Sequence, residues 1–451
     1  MKRREFLKTS AALAALAGSA DLLKAGNVLN EKGKAAPESG AETAGGPLIA
    51  SNPVLQNYAP TSMGVAFAVS ALANGYVLYG REPDLSDAVK VKCGGFRVTD
   101  IGDRILHVRL TGLKPDTQYY YRIGADRIHY GGGYDMKVIG NEEDTRIHSF
   151  RTAGPKEKAH FCVINDTHVR WEPFGRALDK IAEIGPTCVV WNGDASNTEE
   201  TMDAQVRIFF KPEVEHTDYA SDRPYLFCPG NHDLRGMANR HLEKAWMYRQ
   251  PEERTSRDWD LGRNFAIRMG DIAMIGLDTG EDKLDINPRF AGLFNNAAYR
   301  EAQTKWLKDA LKRKEIKKAK YLVAFCHIPL FDPDPAANPG DLAPADTAPG
   351  FKKDYAAWQR TCAGMWGPLL AKAGCQLLIT AHQHRYRYDA PTPERPWAQI
   401  VGGGPFLTDE APEDRYPTVI EGKVQRGRLV VTVHNLRTGL VQDTLSFKPR
   451  Q

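Results

Sequence analysis

Pro229-Gly230-Asn231-His232-Asp233 closes the apolar run Tyr225-Leu226-Phe227-Cys228. Consecutive apolar residues bounded by a turn signal predict a short buried strand. Gly230 beside Asn231 marks a sharp turn at its end. An amide oxygen, an imidazole and a carboxylate are then presented at one strand terminus, where the ligand sites of layered α/β domains gather. That would make one side of a metal site.

The same succession of apolar run, turn and ligand-type residue recurs along the chain. Residues 160–164 lead into Asp166, Thr167 and His168, and residues 187–191 into Asn192, Gly193 and Asp194. Further on, 321–326 end at His327, and 376–380 lead into His382, Gln383 and His384. Asp166, His168, Asp194, Asn231, His327, His382 and His384 exceed what one tetrahedral zinc requires. Two five- or six-coordinate ions sharing one bridging carboxylate would use them all, which predicts a two-metal hydrolytic centre. No cysteine stands among them, which argues against a structural thiolate site; mixed nitrogen and oxygen donors suit manganese, iron or zinc without choosing among them.

The order DxH, GD, GNHD, H, HxH resembles that of the calcineurin-like metallophosphoesterases, from about Lys158 to the C-terminus. The resemblance implies that one metal takes Asp166, His168 and His384, the second takes Asn231, His327 and His382, and Asp194 bridges them. It further implies that His232 is the catalytic histidine near the leaving group, with Asp233 as its orienting carboxylate. Ala381 departs from the glycine usual before HxH, which removes no ligand. The preceding domain resembles that of the purple acid phosphatases, but the tyrosine of that branch's GDxxY motif is replaced here by Asn197, and His168 is added to the first motif. No tyrosinate–iron colour is expected.

The chain has 451 residues, 42% of them hydrophobic, and a net charge of +4. That is material for two globular domains. So slight a basic balance gives no evidence for a nucleic-acid partner or an anionic membrane. Residues 1–20 are expected to be a targeting segment: Arg3 and Arg4 precede Glu5, Phe6, Leu7 and Lys8 as in twin-arginine export signals, followed by an alanine-rich stretch too short to span a bilayer. No membrane anchor is expected in the mature form, which would be periplasmic or secreted after engaging the twin-arginine translocation machinery. Residues 21–46 read as a linker.

From residue 47 to 152 the texture is all-β. Met63, Val65, Phe67 and Val69 alternate with other residues, as do Leu106, Val108 and Leu110, and residues 76–79 make a third run. Residues 113–119 resemble the fibronectin type III pattern in which Tyr119 forms a tyrosine corner. The loop 130–134, with three glycines between two tyrosines, is a candidate rim for the active site. Cys162, Cys188, Cys228 and Cys326 lie inside apolar strands, where a thiol behaves as a small core side chain. Cys362 with Cys375 is the least implausible disulfide, but mostly free thiols are expected.

Residues 153–451 are expected to form the catalytic domain. Phe174, Leu178, Ile181 and Ile184 stand at helical spacing between two strands, and residues 302–311 form a second amphipathic helix. Residues 265–267 and 272–277 read as a hairpin, and runs at 419–424, 428–433 and 440–447 finish a sheet. The expected fold is an N-terminal all-β fibronectin III-like sandwich followed by an αββα four-layer sandwich. Two insertions, 281–296 and 331–350, stand out by composition, and the second, shortly after His327, is a candidate substrate lid. Beyond the second, Tyr355, Trp358 and Trp366 could wall a pocket or equally form the core of a helix over 355–365. Arg235 and Tyr386, each two residues beyond a ligand motif, are candidate substrate contacts, Arg235 by forking onto phosphate. His216 and His241 are weaker ones, and the other solitary histidines are read as structural.

Phosphate esters repel hydroxide, so catalysis needs concentrated positive charge and a nucleophile available near neutral pH. The expected function is therefore an exported phosphatase that hydrolyses monoesters of a small molecule or glycan by in-line attack of a metal-bridging hydroxide, with protonated His232 assisting the leaving group. A phosphodiesterase or nucleotidase on the same centre is the alternative. A non-catalytic binding protein with a vestigial site is disfavoured because no ligand is missing.

Overall fold

The computed structural model describes residues 46–93, 100–246, 259, 261–333, 349–408 and 412–450. The expected leader, most of the linker and most of the 331–350 insertion lie outside them. The first part of the chain supplies β1 (Val54–Gln56), β2 (Ser62–Ala68), β3 (Ala73–Gly80), β4 (Val89–Lys92), β5 (Ile105–Thr111), β6 (Gln118–Gly132), β7 (Asp135–Glu143) and β8 (His148–Arg151). There follow β9 (His160–Ile164), α1 (Trp171–Ile184), β10 (Cys188–Trp191), α2 (Met202–Phe209), β11 (Tyr225–Phe227), β12 (Phe265–Met269), β13 (Ile272–Leu277), α3 (Asn296–Ala310), α4 (Lys314–Lys318), β14 (Tyr321–Cys326) and α5 (Pro349–Lys372). The chain ends with β15 (Leu377–Thr380), β16 (Arg387–Asp389), β17 (Ala398–Val401), β18 (Thr418–Gln425), β19 (Arg428–Asn435) and β20 (Val441–Phe447).

Local pattern accounts for these elements. In β5 the predicted alternation buries Leu106, Val108 and Leu110 while their neighbours stay partly exposed. In α1 a stripe of Phe174, Ala177, Leu178 and Ile181 is buried, and Gly185, at φ 65°, ends the helix by donating its N–H to the Ile181 carbonyl. Gly270 turns the β12–β13 hairpin at φ 54°, where a Cβ would stand 2.2 Å from the Glu157 carbonyl oxygen. The tyrosine corner is present: Lys114 N–H donates to the Tyr119 hydroxyl at 3.0 Å.

Among the described residues the largest sheet has the order β20-β19-β18-β9-β10-β11-β1-β2-β5, and a second has the order β12-β13-β14-β15-β17-β16. Phe161, Val163, Val190 and Ile420 of the first meet Met274, Val323, Phe325 and Ile379 of the second in one core. The residues alternate with these in strand and register, so the opposite faces take the helices. Cys162, Val189 and Trp191 pack with α1 and α2, and Ile275, Leu322 and Ala324 pack with α3, α4 and α5. This is the four-layer αββα sandwich.

The β domain is less separate than its composition implies. Its β1, β2 and β5 extend the first catalytic sheet, because β1 pairs in parallel with β11, Gln56 opposite Tyr225. Its other sheet, β4-β3-β6-β7 with β8 beside β6, completes the fibronectin-like sandwich. Tyr121 reinforces the joint by donating its hydroxyl to the Ser221 carbonyl at 2.6 Å.

All seven cysteines are buried free thiols, Cys362 and Cys375 included. The helix expected over 355–365 is longer, and Tyr355, Trp358, Cys362, Trp366 and Leu370 along it are buried in the core with α3, Tyr355 also stacking on the His382 ring at 5.7 Å between centroids. No helix among the described residues is long and apolar enough to cross a membrane.

Candidate metal centre

The strands β9, β10 and β11 run parallel, as do β13, β14, β15 and β17. Their carboxyl ends consequently open on the same side, and every expected ligand lies just beyond one of them. The turns that carry the ligands are tight. Asp166 (φ 47°), His168 (φ 46°), Asp194 (φ 50°), His382 (φ 71°) and His384 (φ 50°) all adopt the left-handed conformation. For residues with a Cβ this costs roughly 1–2 kcal/mol each, a strain that collects at functional sites. Ala381 is not among the left-handed residues, so the missing glycine there is harmless.

Two glycines make room. A Cβ on Gly230 would stand 2.2 Å from Asp194 Oδ1, and one on Gly193, at φ 84°, would stand 2.4 Å from His327 Nδ1.

Asp166, His168, Asp194 and His384 bring one ligand atom each into a first buried cluster, and Asp194, His327 and His382 into a second. His168 Nε2 lies 2.8 Å from His384 Nε2 and 3.6 Å from Asp194 Oδ2, which is also 3.0 Å from His327 Nε2. Asp194 is thus the shared member, and its other oxygen, Oδ1, accepts the His232 backbone N–H at 2.9 Å. Asp166 likewise divides its oxygens: Oδ2 accepts from Asn165 Nδ2 (2.7 Å) and His382 N (3.1 Å), whereas Oδ1, buried, has no hydrogen-bond partner. His382 Nδ1 faces Asn231 Oδ1 at 2.9 Å.

The donor set fits two cations. His168 donates Nδ1–H to Asn197 Oδ1 at 2.9 Å and His327 donates Nδ1–H to the Asn192 carbonyl at 2.9 Å, which leaves Nε2 of both rings as a lone pair aimed at the carboxylates. A buried carboxylate oxygen without a hydrogen bond, beside converging imidazole lone pairs, is the environment of a bound cation.

Electrostatics agree. Burial raises the Asp194 carboxyl, but His327, His232 and His168 around it overcome burial and leave it well below the ordinary carboxylate range. Burial opposes charge on His327, yet Asp194 and then Asp166 push its pKa up to about 10, which marks the pocket as one that favours a positive charge.

The chain's residues 159–386 match the family model described as calcineurin-like phosphoesterase. The chain belongs to the calcineurin-like phosphoesterases. It is a metal-dependent phosphoesterase with a dinuclear centre. Residues 51–152 match the model of the purple acid phosphatase N-terminal domain. Among solved structures, a purple acid phosphatase from yellow lupin seeds shares 13% identity at a TM-score of 0.60, with 88% of this chain and 74% of that one covered. At that identity the likeness is one of fold. GAP50, the anchor in the inner membrane complex of Plasmodium, aligns at 15% identity and a TM-score of 0.43 over 66% of this chain and 90% of its own. No curated protein sequence matches the chain significantly.

Within this phosphoesterase several expected roles change. Asp233 does not orient His232. Its carboxylate accepts from the backbone of Asp194 (2.8 Å), Gly230 (2.9 Å) and Ser196 (3.1 Å) and from Ser196 Oγ (2.9 Å), so it knots the two ligand loops together. Burial, then the charge of Asp194, pushes Asp233 up to about 7.

The His232 ring is held instead by the Asn197 carbonyl at Nδ1 (3.2 Å) and by Arg235 Nη1 at Nε2 (3.0 Å). Burial, against the pull of Asp194, brings it down to about 4. Arg235 is not a free phosphate fork, because Nε and Nη2 grip Glu281 at 3.0 and 2.8 Å.

Tyr386 points away from the ligands and gives its hydroxyl to Asp443 in β20. His216 pairs with Asp179 and His241 with Glu243, both on the surface. Tyr130 and Tyr134 stand exposed at the β6–β7 tip.

Sequence reading missed Asn197, Glu281 and Asp282 as parts of the site. Asn197 was visible only as the residue standing where a tyrosine was expected. Asp282, whose Oδ2 lies 3.7 Å from His382 Nε2, carried no signal beyond its place at the head of an insertion.

Proposed function

We propose that this phosphoesterase is an exported phosphomonoesterase, acting in the periplasm or outside the cell on a small phosphorylated molecule or a glycan phosphate. The observation that carries the reading is the convergence of two buried ligand clusters on one oxygen, Asp194 Oδ2.

When bound, two divalent cations supply Lewis acidity toward phosphoryl oxygens and bring the pKa of a coordinated water into the neutral range. The chain's own residues hold and orient. Asp166, His168 and His384 would take one ion, Asn231, His327 and His382 the other, and Asp194 both. Asn197 and the Asn192 carbonyl fix the tautomers of His168 and His327, so that their Nε2 atoms would be available to hold a cation. Asp233 locks the Asp194 and Gly230 loops against each other, which keeps the two half-sites in register.

Preference for monoesters is supported by the purple acid phosphatase type of N-terminal domain and by the fold shared with a protein named a phosphatase. Export is supported by the paired arginines at Arg3 and Arg4, and the twin-arginine machinery would be the partner in transit. Seven thiols buried in the core accord with a chain that folds before it crosses the membrane.

Initial rates of the metal-stripped protein on p-nitrophenyl phosphate and bis(p-nitrophenyl) phosphate, before and after addition of Mn²⁺ or Zn²⁺, test the reading. Metal-dependent turnover faster on the monoester is expected. A faster diester rate would replace it by the phosphodiesterase alternative, and recovery of the protein in the cytoplasm of an exporting host would remove the export claim.

A further inference from the structure

Shortly after β13 stand Glu281, Asp282 and Lys283, all buried. Glu281, fully buried, accepts Arg235 Nε through Oε2 and Arg235 Nη2 through Oε1, a two-point grip that fixes the plane of the guanidinium. This leaves Nη1, which lies 3.0 Å from His232 Nε2. A guanidinium has only donors, so Nε2 accepts. The other ring nitrogen faces the Asn197 carbonyl, which can only accept, so Nδ1 carries the proton. Both nitrogens of His232 are thereby specified.

Arg235 Nη1 also bears a second N–H, and 23% of the Arg235 side chain is exposed while none of Glu281 is. His232 itself adjoins the metal cluster, its ring edge-on to His168 at 4.9 Å between centroids.

We propose that Glu281 is a positioning residue and Arg235 a further catalytic residue: Glu281 holds the guanidinium, braced on His232 Nε2, as the cation that meets the leaving oxygen. The proposal rests on the phosphoesterase reading of the centre. As a water oxygen bonds to phosphorus and gives up a proton to solvent, the ester P–O bond breaks, its electron pair leaves with the departing oxygen, and the Nη1 N–H stabilises that charge without giving up its proton. Solvent then protonates the alkoxide. The guanidinium charge persists at any working pH.

The test uses the full metal-loaded chain on aryl phosphates of graded leaving-group pKa. Glu281→Gln and Arg235→Lys are expected to keep two metals per chain and a near-normal KM, while kcat falls by at least about tenfold, the loss growing as the leaving group worsens. Combining Glu281→Gln with Arg235→Gln should be no worse than Arg235→Gln alone. Loss that is equal across the series, or additive between the two sites, overturns the proposal.

A second readout needs no turnover. Nitrogen NMR of the imidazoles in the zinc-loaded protein should show His232 protonated at Nδ1 alone, and a tautomer mixture in Glu281→Gln. An Nε2–H form in the wild type overturns it. Wild-type protein inactive on every ester would fail the phosphoesterase reading, and the nitrogen signature would still decide how His232 is held.

Discussion

Asp194 Oδ2 stands 3.0 Å from His327 Nε2, although the two residues come from different sheets of the sandwich. The contact joins the half-sites, because the same oxygen also faces His168. Asp194→Asn keeps the shape but gives up the charge that two cations would share. Turnover should fall by on the order of a thousandfold or more, roughly 4 kcal/mol in the barrier. Metal analysis should show fewer than two ions per chain, and full occupancy with normal rates would refute the bridging role.

Asn197 grips His168 twice, through Oδ1 on Nδ1 and through Nδ2 on the backbone carbonyl at 3.2 Å. Asn197→Ala frees the ring to turn and change tautomer. Loss of such an outer partner typically weakens metal binding by about 10–100-fold. Competition with a chelator should reveal one weakened site beside one of native affinity. Two unchanged affinities would show that His168 is held by something else.

Gly230 permits the approach of the GNHD turn to Asp194, since any Cβ would stand 2.2 Å from Oδ1 and 2.6 Å from the Asp194 backbone nitrogen. Gly230→Ala should therefore displace the carboxylate. A displacement approaching 1 Å is enough to cost about a hundredfold in rate. Circular dichroism distinguishes this local effect from misfolding, and native kcat in a folded variant would contradict it.

Glu157, buried beneath the Tyr58 hydroxyl where the β domain joins the catalytic domain, has its carboxyl pushed up to about 7, first by burial and then by the charge of Asp116. Its ordinary value is 4.5. Between these values the unfolded chain has released the proton and the folded chain has not, so stability is full below 4.5 and falls as pH rises through 7. The loss is on the order of 3 kcal/mol. Urea denaturation at pH 5 and pH 8 should show it in the wild type and show a smaller difference in Glu157→Gln. Equal pH dependence in both proteins would assign the effect elsewhere.

The sequence by itself determined the layers and the ligands. Leu106, Val108 and Leu110 in β5, and Phe174, Leu178 and Ile181 in α1, announce their faces by spacing, because the period of burial follows from local backbone geometry. Asp166, Asp194, Asn231, His327, His382 and His384 are legible for a related reason: each follows a strand of apolar residues, and parallel strands open at one end.

Only the tertiary structure decided which side chains hold these ligands and where the β domain sits. Arg235 meets Glu281 across 46 positions, and β1 meets β11 far along the chain, at Gln56 and Tyr225. Arg235, taken alone, reads as a phosphate fork, and Asp233 reads as the partner of His232. A charged side chain takes whichever buried counter-charge or backbone donor the folded chain brings within reach, and that choice carries no periodic mark in the sequence.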